Sequence, residues 1–279
     1  MINTIFWTIK KRGLKTFILA TFYYLKILLF KILKKRYIKK NIFNFKMLLD
    51  IHDKGLSRTL LLFSKRELEQ KFIIEKILEP ENIVLDLGSN IGYYALIFMK
   101  KIDYKNIILV EPSPVNVDLL KKNLVLNGYS NVETHMAAIS DIDSKKEFYL
   151  SEMSNLNSFH VDSKDLKNYN KILVNSYSLA SLLKGRKIDL IRMDVEGHEV
   201  SIFKSLLEYI DQYGYKPAIL YEPHMSKYNS KNDIIEQLNK LFKLGYSLQV
   251  AASSSVDGTK KFEKKMYKSI KSFNTDEKI

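Results

Sequence analysis

The chain has 279 residues, 46% of them hydrophobic, with only 10 glycines and 5 prolines. That suffices for one substantial α/β domain with an extension, and it excludes low-complexity and collagen-like classes. The absence of cysteine excludes disulfides, thiolate metal sites and cysteine nucleophiles, while a formal net charge of +14 would suggest nucleic acid if it were evenly spread.

The charge is concentrated at one end. The first 46 residues carry twelve Lys or Arg and no acid, the first acid being Asp50, whereas the remainder holds 33 basic and 31 acidic residues. A near-neutral body argues against a phosphate-tracking surface, so no nucleic-acid partner is expected. Within segment 1–43, residues 14–33 are rich in Leu, Ile, Phe and Tyr but are interrupted by Lys15, Lys26 and Lys31. The longest uncharged stretch falls well short of the ~20 apolar residues a spanning helix needs. Clusters at Lys10, Lys11, Arg12 and Lys15 and at Lys34, Lys35, Arg36, Lys39 and Lys40 flank it. This pattern predicts a helix lying on an anionic membrane surface with snorkelling lysines, and a cytoplasmic protein held peripherally at the inner face of the membrane. A span tolerating Lys26, a signal peptide without a small-x-small cleavage site, and simple packing on the body or on a partner subunit are the alternatives.

Residues 44–80 are expected to pack on the core as a hairpin and a helix. Two short strands are expected within 44–63 around Asp53-Lys54-Gly55, with the apolar run 59–63 forming the second, followed by a helix over 65–78. Residues 81–256 then alternate: strand 83–87, helix 91–100, strand 107–110, helix 114–126, strand 132–136, strand 188–193, helix 200–209, strand 218–221, helix 233–244 and strand 246–250. Such alternation implies βαβ units, a mainly parallel sheet, and ligands beyond the carboxyl ends of its strands. The stretch 257–279 reads as a Lys- and Ser-rich terminal strand or tail.

Four runs carry chemistry. In Val84-Leu85-Asp86-Leu87-Gly88-Ser89-Asn90-Ile91-Gly92 an apolar strand enters a Gly-x-x-x-Gly turn that opens a helix. Backbone amides can approach a ligand there, and Asp86 can meet a cationic or amine-bearing group. In Ile107-Ile108-Leu109-Val110-Glu111 the acid lies nineteen residues after Gly92, where a carboxylate can take both hydroxyls of a ribose. A dehydrogenase uses the same logic, but Gly88 and Gly92 do not make the three-glycine diphosphate cradle, so a nucleoside without phosphates fits better. The run 188–199 delivers Asp194, Glu196 and Glu199 to a strand end, with Gly197 for a turn. Asp194 and Glu196 are expected to face the reaction; Glu199 serves either the site or the dipole of the helix it opens. Tyr221-Glu222-Pro223-His224 adds a histidine at the same edge, either a general base or a surface loop residue. The carboxylates make a metal conceivable, and no metal site is assigned.

These runs resemble the FkbM-type class I methyltransferases, which depend on S-adenosylmethionine and mostly methylate hydroxyls of sugars, polyketides or glycans. The resemblance covers roughly 44–250 and rests on 86–92, on Glu111-Pro112-Ser113-Pro114, on Ala138-Ile139-Ser140-Asp141, on the Ser- and Asn-rich loop 154–159 and, most specifically, on Asp194-Val195-Glu196-Gly197-His198-Glu199. Arg192 stands where many members carry Lys. The resemblance implies a Rossmann-like α/β fold with a mainly parallel seven-stranded sheet covered by helices on both faces. It also implies that Gly88, Ser89, Asn90 and Gly92 line the methionine part of the cofactor, that Glu111 takes its ribose, and that the Ala138 neighbourhood abuts its adenine. The expected chemistry is in-line methyl transfer to a hydroxyl, with Asp194, Glu196 or His224 as general base. The expected acceptor is a sugar hydroxyl of a cell-surface or lipid-linked glycan. The alternatives are an RNA methyltransferase and a non-catalytic membrane-bound scaffold with a relic cofactor pocket.

Overall fold

The computed structural model describes residues 9, 10 and 12–251; the first eight residues, Lys11 and everything after residue 251, including the expected tail, lie outside the described residues. Helix α1 (Leu14–Ile32) buries Ala20 and Ile27 against the body. No helix among the described residues is long and apolar enough to cross a membrane. An antiparallel hairpin follows, β1 (Tyr37–Ile42) with β2 (Phe45–Asp50), Ile42 opposite Phe45. It begins inside the segment expected to be membrane-associating.

The run expected as a second strand is instead a helix, α2 (Leu56–Phe63). A short apolar run suits either state. Capping decides this one, because the Asp53 carboxylate accepts from the amides of Gly55 and Ser57 at 2.8 and 2.7 Å, opening a helix that buries Leu56, Leu60 and Leu61 at helical spacing. Helix α3 (Leu68–Ile77) leads into the catalytic-type alternation: β3 (Val84–Leu87), α4 (Tyr93–Phe98), β4 (Ile107–Val110), α5 (Pro114–Leu126) and β5 (Glu133–His135). After β6 (Ala138–Ile139), β7 (Ser144–Ser151), β8 (Tyr169–Tyr177) and α6 (Leu179–Leu183) come β9 (Leu190–Met193), α7 (Glu199–Tyr213), β10 (Ala218–Tyr221) and α8 (Ile234–Lys243).

The central sheet has five strands in the order β10-β9-β3-β4-β5, every pair parallel. It is smaller than the seven strands expected. Residues 246–250 make no strand beyond a single bridge position at Leu248, and β6, β8 and β7 form a separate three-stranded sheet. Apolar residues cover both faces of the central sheet. Val84, Ile107 and Leu109 pack with α2 to α5, whereas Leu85, Leu87, Ile108, Val110, Ile191 and Met193 pack with α6 to α8. The chain runs from β3 to β4 and β5 on one side and returns to β9 and β10 on the other, so the strand order reverses beside β3 and opens a crevice there.

Candidate active site

Register builds the site. Tyr221 pairs with Met193, Met193 with Leu87, and Leu87 with Val110. The next residue on each strand is therefore aligned along one edge: Glu222, Asp194, Gly88 and Glu111. The ladder continues one step past the strands, through Glu222 N to Met193 O (3.2 Å), Asp194 N to Leu87 O (3.1 Å) and Gly88 N to Val110 O (2.9 Å). Gly88 adopts φ 77°, and a Cβ there would meet the Asp194 carbonyl oxygen at 2.2 Å; only glycine fits.

The glycine loop and Glu111 touch. Glu111 Oε2 accepts from the Asn90 amide at 2.9 Å, and Oε1 accepts from the Ser113 amide at 2.9 Å and from Asn116 Nδ2 at 3.2 Å. Burial raises its pKa to about 7 even though these three donors favour the carboxylate. A cavity opens between the two segments, walled by Gly88, Asn90, Glu111, Ala138, Phe148 and Phe159 together with Asn155, Asp194, Glu196 and His198. A smaller recess shares Gly88, Asn90, Asn155 and Asp194 with it and adds Arg66, Glu67, Ser89, Tyr93, Tyr94 and Arg192.

The residues expected to hold the cofactor divide accordingly. Gly88, Asn90, Glu111 and Ala138 line the cavity, and Ser89 lines the recess. Asp86 and Gly92 line neither. Gly92 is the left-handed residue before α4, where it fixes the entry of the helix. Asp86 is fully buried on the strand position directly paired with Arg192. Neighbouring strand residues in register share a face, so the two charges meet: Arg192 Nη1 lies 3.3 Å from Asp86 Oδ1. Arg192 also reaches Asp194 Oδ2 at 3.3 Å and the Gly88 carbonyl at 3.4 Å, and its guanidinium stacks on Tyr94 at 3.9 Å. Arg192 thus organises the site, a role that its place in the motif does not reveal. Its signal was present in the sequence as the one charged residue inside the otherwise apolar strand Leu190–Met193.

The three residues expected to be catalytic converge. His224 Nε2 lies 3.4 Å from Glu196 Oε2 and 3.7 Å from Asp194 Oδ1, while its Nδ1 is 2.7 Å from Glu199 Oε1. Glu199 is fully buried and also accepts from the Tyr228 hydroxyl at 3.1 Å, so it holds His224 in place from behind. Burial alone would lower the His224 pKa; hydrogen bonds and charge from Glu196 and Glu199 override it and raise it to about 11. His224 is therefore an imidazolium at neutral pH. Asp194 is likewise raised, well above the ordinary carboxyl range, by burial and by the neighbouring Glu222, Glu67 and Glu196, against the pull of Arg192. Glu196 holds a left-handed φ of 50°, and its carbonyl accepts from Ser158 Oγ at 2.7 Å. Backbone strain of this kind costs about 1–3 kcal/mol and gathers at functional sites.

Asp194, Glu196 and His224 place donor atoms within 4.8 Å of one another, as do Glu67, Asp194 and Glu222, so either trio could hold a cation. In the first trio the proton on His224 competes for that position.

The residues also suit a nucleoside joined to a zwitterionic tail. Buried acceptor oxygens of Asn90 and Asn155 find no protein donor, as expected where a ligand brings hydroxyl or ammonium donors. Ala138, Phe148 and Phe159 offer apolar walls for a base, and Arg66, Arg192, Glu67 and Asp194 offer both signs of charge for an amino-acid end.

The methyltransferase FkbM domain family matches residues 86–248. The chain is 22% identical over 146 residues to Methyltransferase 1 of Beauveria bassiana, covering 45% of this chain and 59% of that protein. It is 24% identical over 190 residues to the methyltransferase sdnD of Sordaria araneosa, covering 53% of this chain and 73% of that protein. The chain thus spans about three-fifths of the first of these relatives. Among solved structures, an FkbM methyltransferase of Methylobacillus flagellatus aligns at 16% identity and a TM-score of 0.34, over 58% of this chain and 43% of that one. A SAM-dependent methyltransferase from Agrobacterium tumefaciens aligns at 12% identity and a TM-score of 0.36, over 67% and 52%.

Proposed function

The chain belongs to the FkbM methyltransferase family, and we infer that it transfers a methyl group from S-adenosylmethionine to a hydroxyl oxygen, the acceptor being a sugar of a lipid-linked or cell-surface glycan. When bound, S-adenosylmethionine supplies a methyl carbon already activated by a cationic sulfur. The observation that carries the reading is the contact between the loop at Gly88–Asn90 and Glu111, 2.9 Å apart through the Asn90 amide and both facing one cavity.

Glu111 would grip the ribose hydroxyls, and Gly88 with Asn90 would pass the chain of the ligand to the recess. Asp194 stands where the cavity and the recess meet. There a carboxylate attracts the sulfonium and can take the proton of an incoming hydroxyl as the oxygen–carbon bond forms. A base poised near neutrality does this best, and Asp194 is raised toward it, whereas His224 is already protonated. Both groups are raised, but to different degrees, and this divides the roles: ionised Asp194 accepts the proton, and His224 orders Asp194 and Glu196 by its charge. General-base assistance of this kind contributes about 10²–10⁴-fold.

Incubating the protein with methyl-labelled S-adenosylmethionine and a lipid-linked sugar extract should place base-stable label on the sugar. Label on RNA instead, or cofactor binding without transfer to any extract, would overturn the acceptor assignment.

A further inference from the structure

We propose that α1 docks the protein flat on the surface of an anionic phospholipid bilayer through the face it turns away from the body. Leu14, Ile18, Phe22, Leu25, Leu29 and Ile32 recur every three or four residues and are each 52–78% exposed. They form one stripe directly opposite the face that buries Ala20 and Ile27. Over 19 residues the stripe is about 28 Å long. A water-facing helix places polar residues on its outer face; α1 does the reverse, and a continuous apolar patch of this size marks an interaction surface.

Charge selects the occupant. Lys15 and Lys26 lie along one flank of the stripe, where their stems can follow apolar surface while their ammonium groups reach headgroups. Beside that flank a groove lined by Leu19, Tyr23, Lys39, Lys40 and Lys46 adds exposed ammonium groups at Lys39 and Lys46. Lys40 is the exception, being turned inward to the carbonyls of Leu60 and Leu61. No acid occurs before Asp50. An apolar stripe with a basic flank and no acid on its own helix fits the boundary between acyl chains and anionic headgroups. A hydrophobic face of another protein would satisfy the stripe and leave these cations unmatched.

The docking also bears on the site. Ser64, just past the C-terminal end of α2, lines the basic groove, and Leu56, at the N-terminal end, lines the recess beside Asp194. Eight residues of helix separate them by about 12 Å, which puts a headgroup-borne acceptor within reach; this last consequence rests on the methyltransferase reading, and the docking does not.

The test is flotation of the full-length protein with vesicles of phosphatidylglycerol and phosphatidylcholine, or of phosphatidylcholine alone, beside calorimetry of S-adenosylmethionine binding. The expected result is flotation with the anionic vesicles that weakens at least tenfold without phosphatidylglycerol. It should weaken at least tenfold again in Phe22→Glu and Leu25→Glu, whose solvent-facing positions leave cofactor affinity unchanged. Absence of flotation, flotation indifferent to both substitutions, or a concentration-dependent dimer that dissociates in Phe22→Glu without any vesicle binding would overturn the docking. Loss of cofactor binding with flotation intact would sink the methyltransferase reading and leave the docking standing.

Discussion

Glu111 gives cofactor binding a pH dependence whose size follows from its surroundings. The carboxyl group is buried and has a pKa of about 7, and only its ionised form presents acceptors to both ribose hydroxyls. Those donors would stabilise the anion further, so the pKa falls on binding. Affinity is therefore fully developed above pH 7 and is lost as pH falls through that value. Relative to the fully ionised protein, the dissociation constant rises elevenfold at pH 6 and by about a tenth at pH 8, a ratio of about ten, or roughly 1.4 kcal/mol. Calorimetry between pH 6 and 8 in buffers of different ionisation enthalpy would read both the affinity and the near-complete release of one proton at pH 6. Adenosine, which has the ribose but no amino-acid tail, should show the same profile. In Glu111→Gln the pH dependence should vanish and affinity should fall by two orders of magnitude or more, as expected for about 3 kcal/mol from two charge-assisted hydrogen bonds. Glu111→Ala should likewise weaken binding by more than it changes any chemical step. An affinity that is flat from pH 6 to 8 for both ligands would refute the assignment of the ribose to Glu111.

Asp194→Asn should lower kcat by about 10²–10⁴-fold and weaken cofactor binding by clearly less, measured by label transfer against calorimetry; a loss of affinity with kcat unchanged would place Asp194 in binding alone. His224 should remain protonated from pH 6 to 9 by imidazole NMR, and Glu199→Gln should lower its pKa by at least one unit. Because the His224 pKa is raised on folding, to about 11, its stabilising contribution is complete below its unfolded value near 6.5 and disappears as pH climbs toward 11; thermal melts of the native protein and Glu199→Gln should therefore converge at alkaline pH. Gly88→Ala forces a Cβ to 2.2 Å from the Asp194 carbonyl at φ 77° and should cost about 2–4 kcal/mol, a fall of roughly 4–16 °C in Tm; an unchanged Tm would show that the strand ends are less tightly joined than the geometry requires.

The sheet edge is legible because four of the five parallel strands are short, mainly apolar runs with an acid or glycine immediately after them; β5, Glu133–His135, is the exception. Ile107–Val110 and Pro114–Leu126 were placed residue for residue. What lay beyond the sequence depended on pairing between distant segments. Asp86 and Arg192 are 106 residues apart, and only the register that sets them side by side turns an expected ligand into half of a buried ion pair. Strands β7 and β8 were missed for a related reason. Burial alternates over part of both strands, but residue type does not follow it: Tyr169–Tyr177 buries Ser176 and exposes Leu173, and Ser144–Ser151 buries Phe148 alone, so the apolar–polar alternation that marks a half-buried strand is missing from the sequence. Helix α2 is hidden in the sequence because its apolar run suits strand or helix until the Asp53 carboxylate caps it.

The left-handed residues at the site tie such long-range pairings to function. Glycine takes such a conformation without strain, asparagine with little and glutamate with more. Asn90 at φ 49° and Glu196 at φ 50° both follow strand ends that carry the site, and both are held by the same neighbouring loop: Asn90 Nδ2 donates to the Ser154 carbonyl at 3.1 Å, and Ser158 Oγ donates to the Glu196 carbonyl at 2.7 Å. That loop is in turn tied to Asp53, which accepts from the Ser154 amide and hydroxyl at 2.9 Å while capping α2. One acid thus sets the start of the helix beneath α1 and the position of the loop that bends Asn90 toward Glu111 and Glu196 toward His224. The strain at the cavity is sustained by a segment outside the strand–helix alternation, which is why the alternation alone locates the site and cannot supply its geometry.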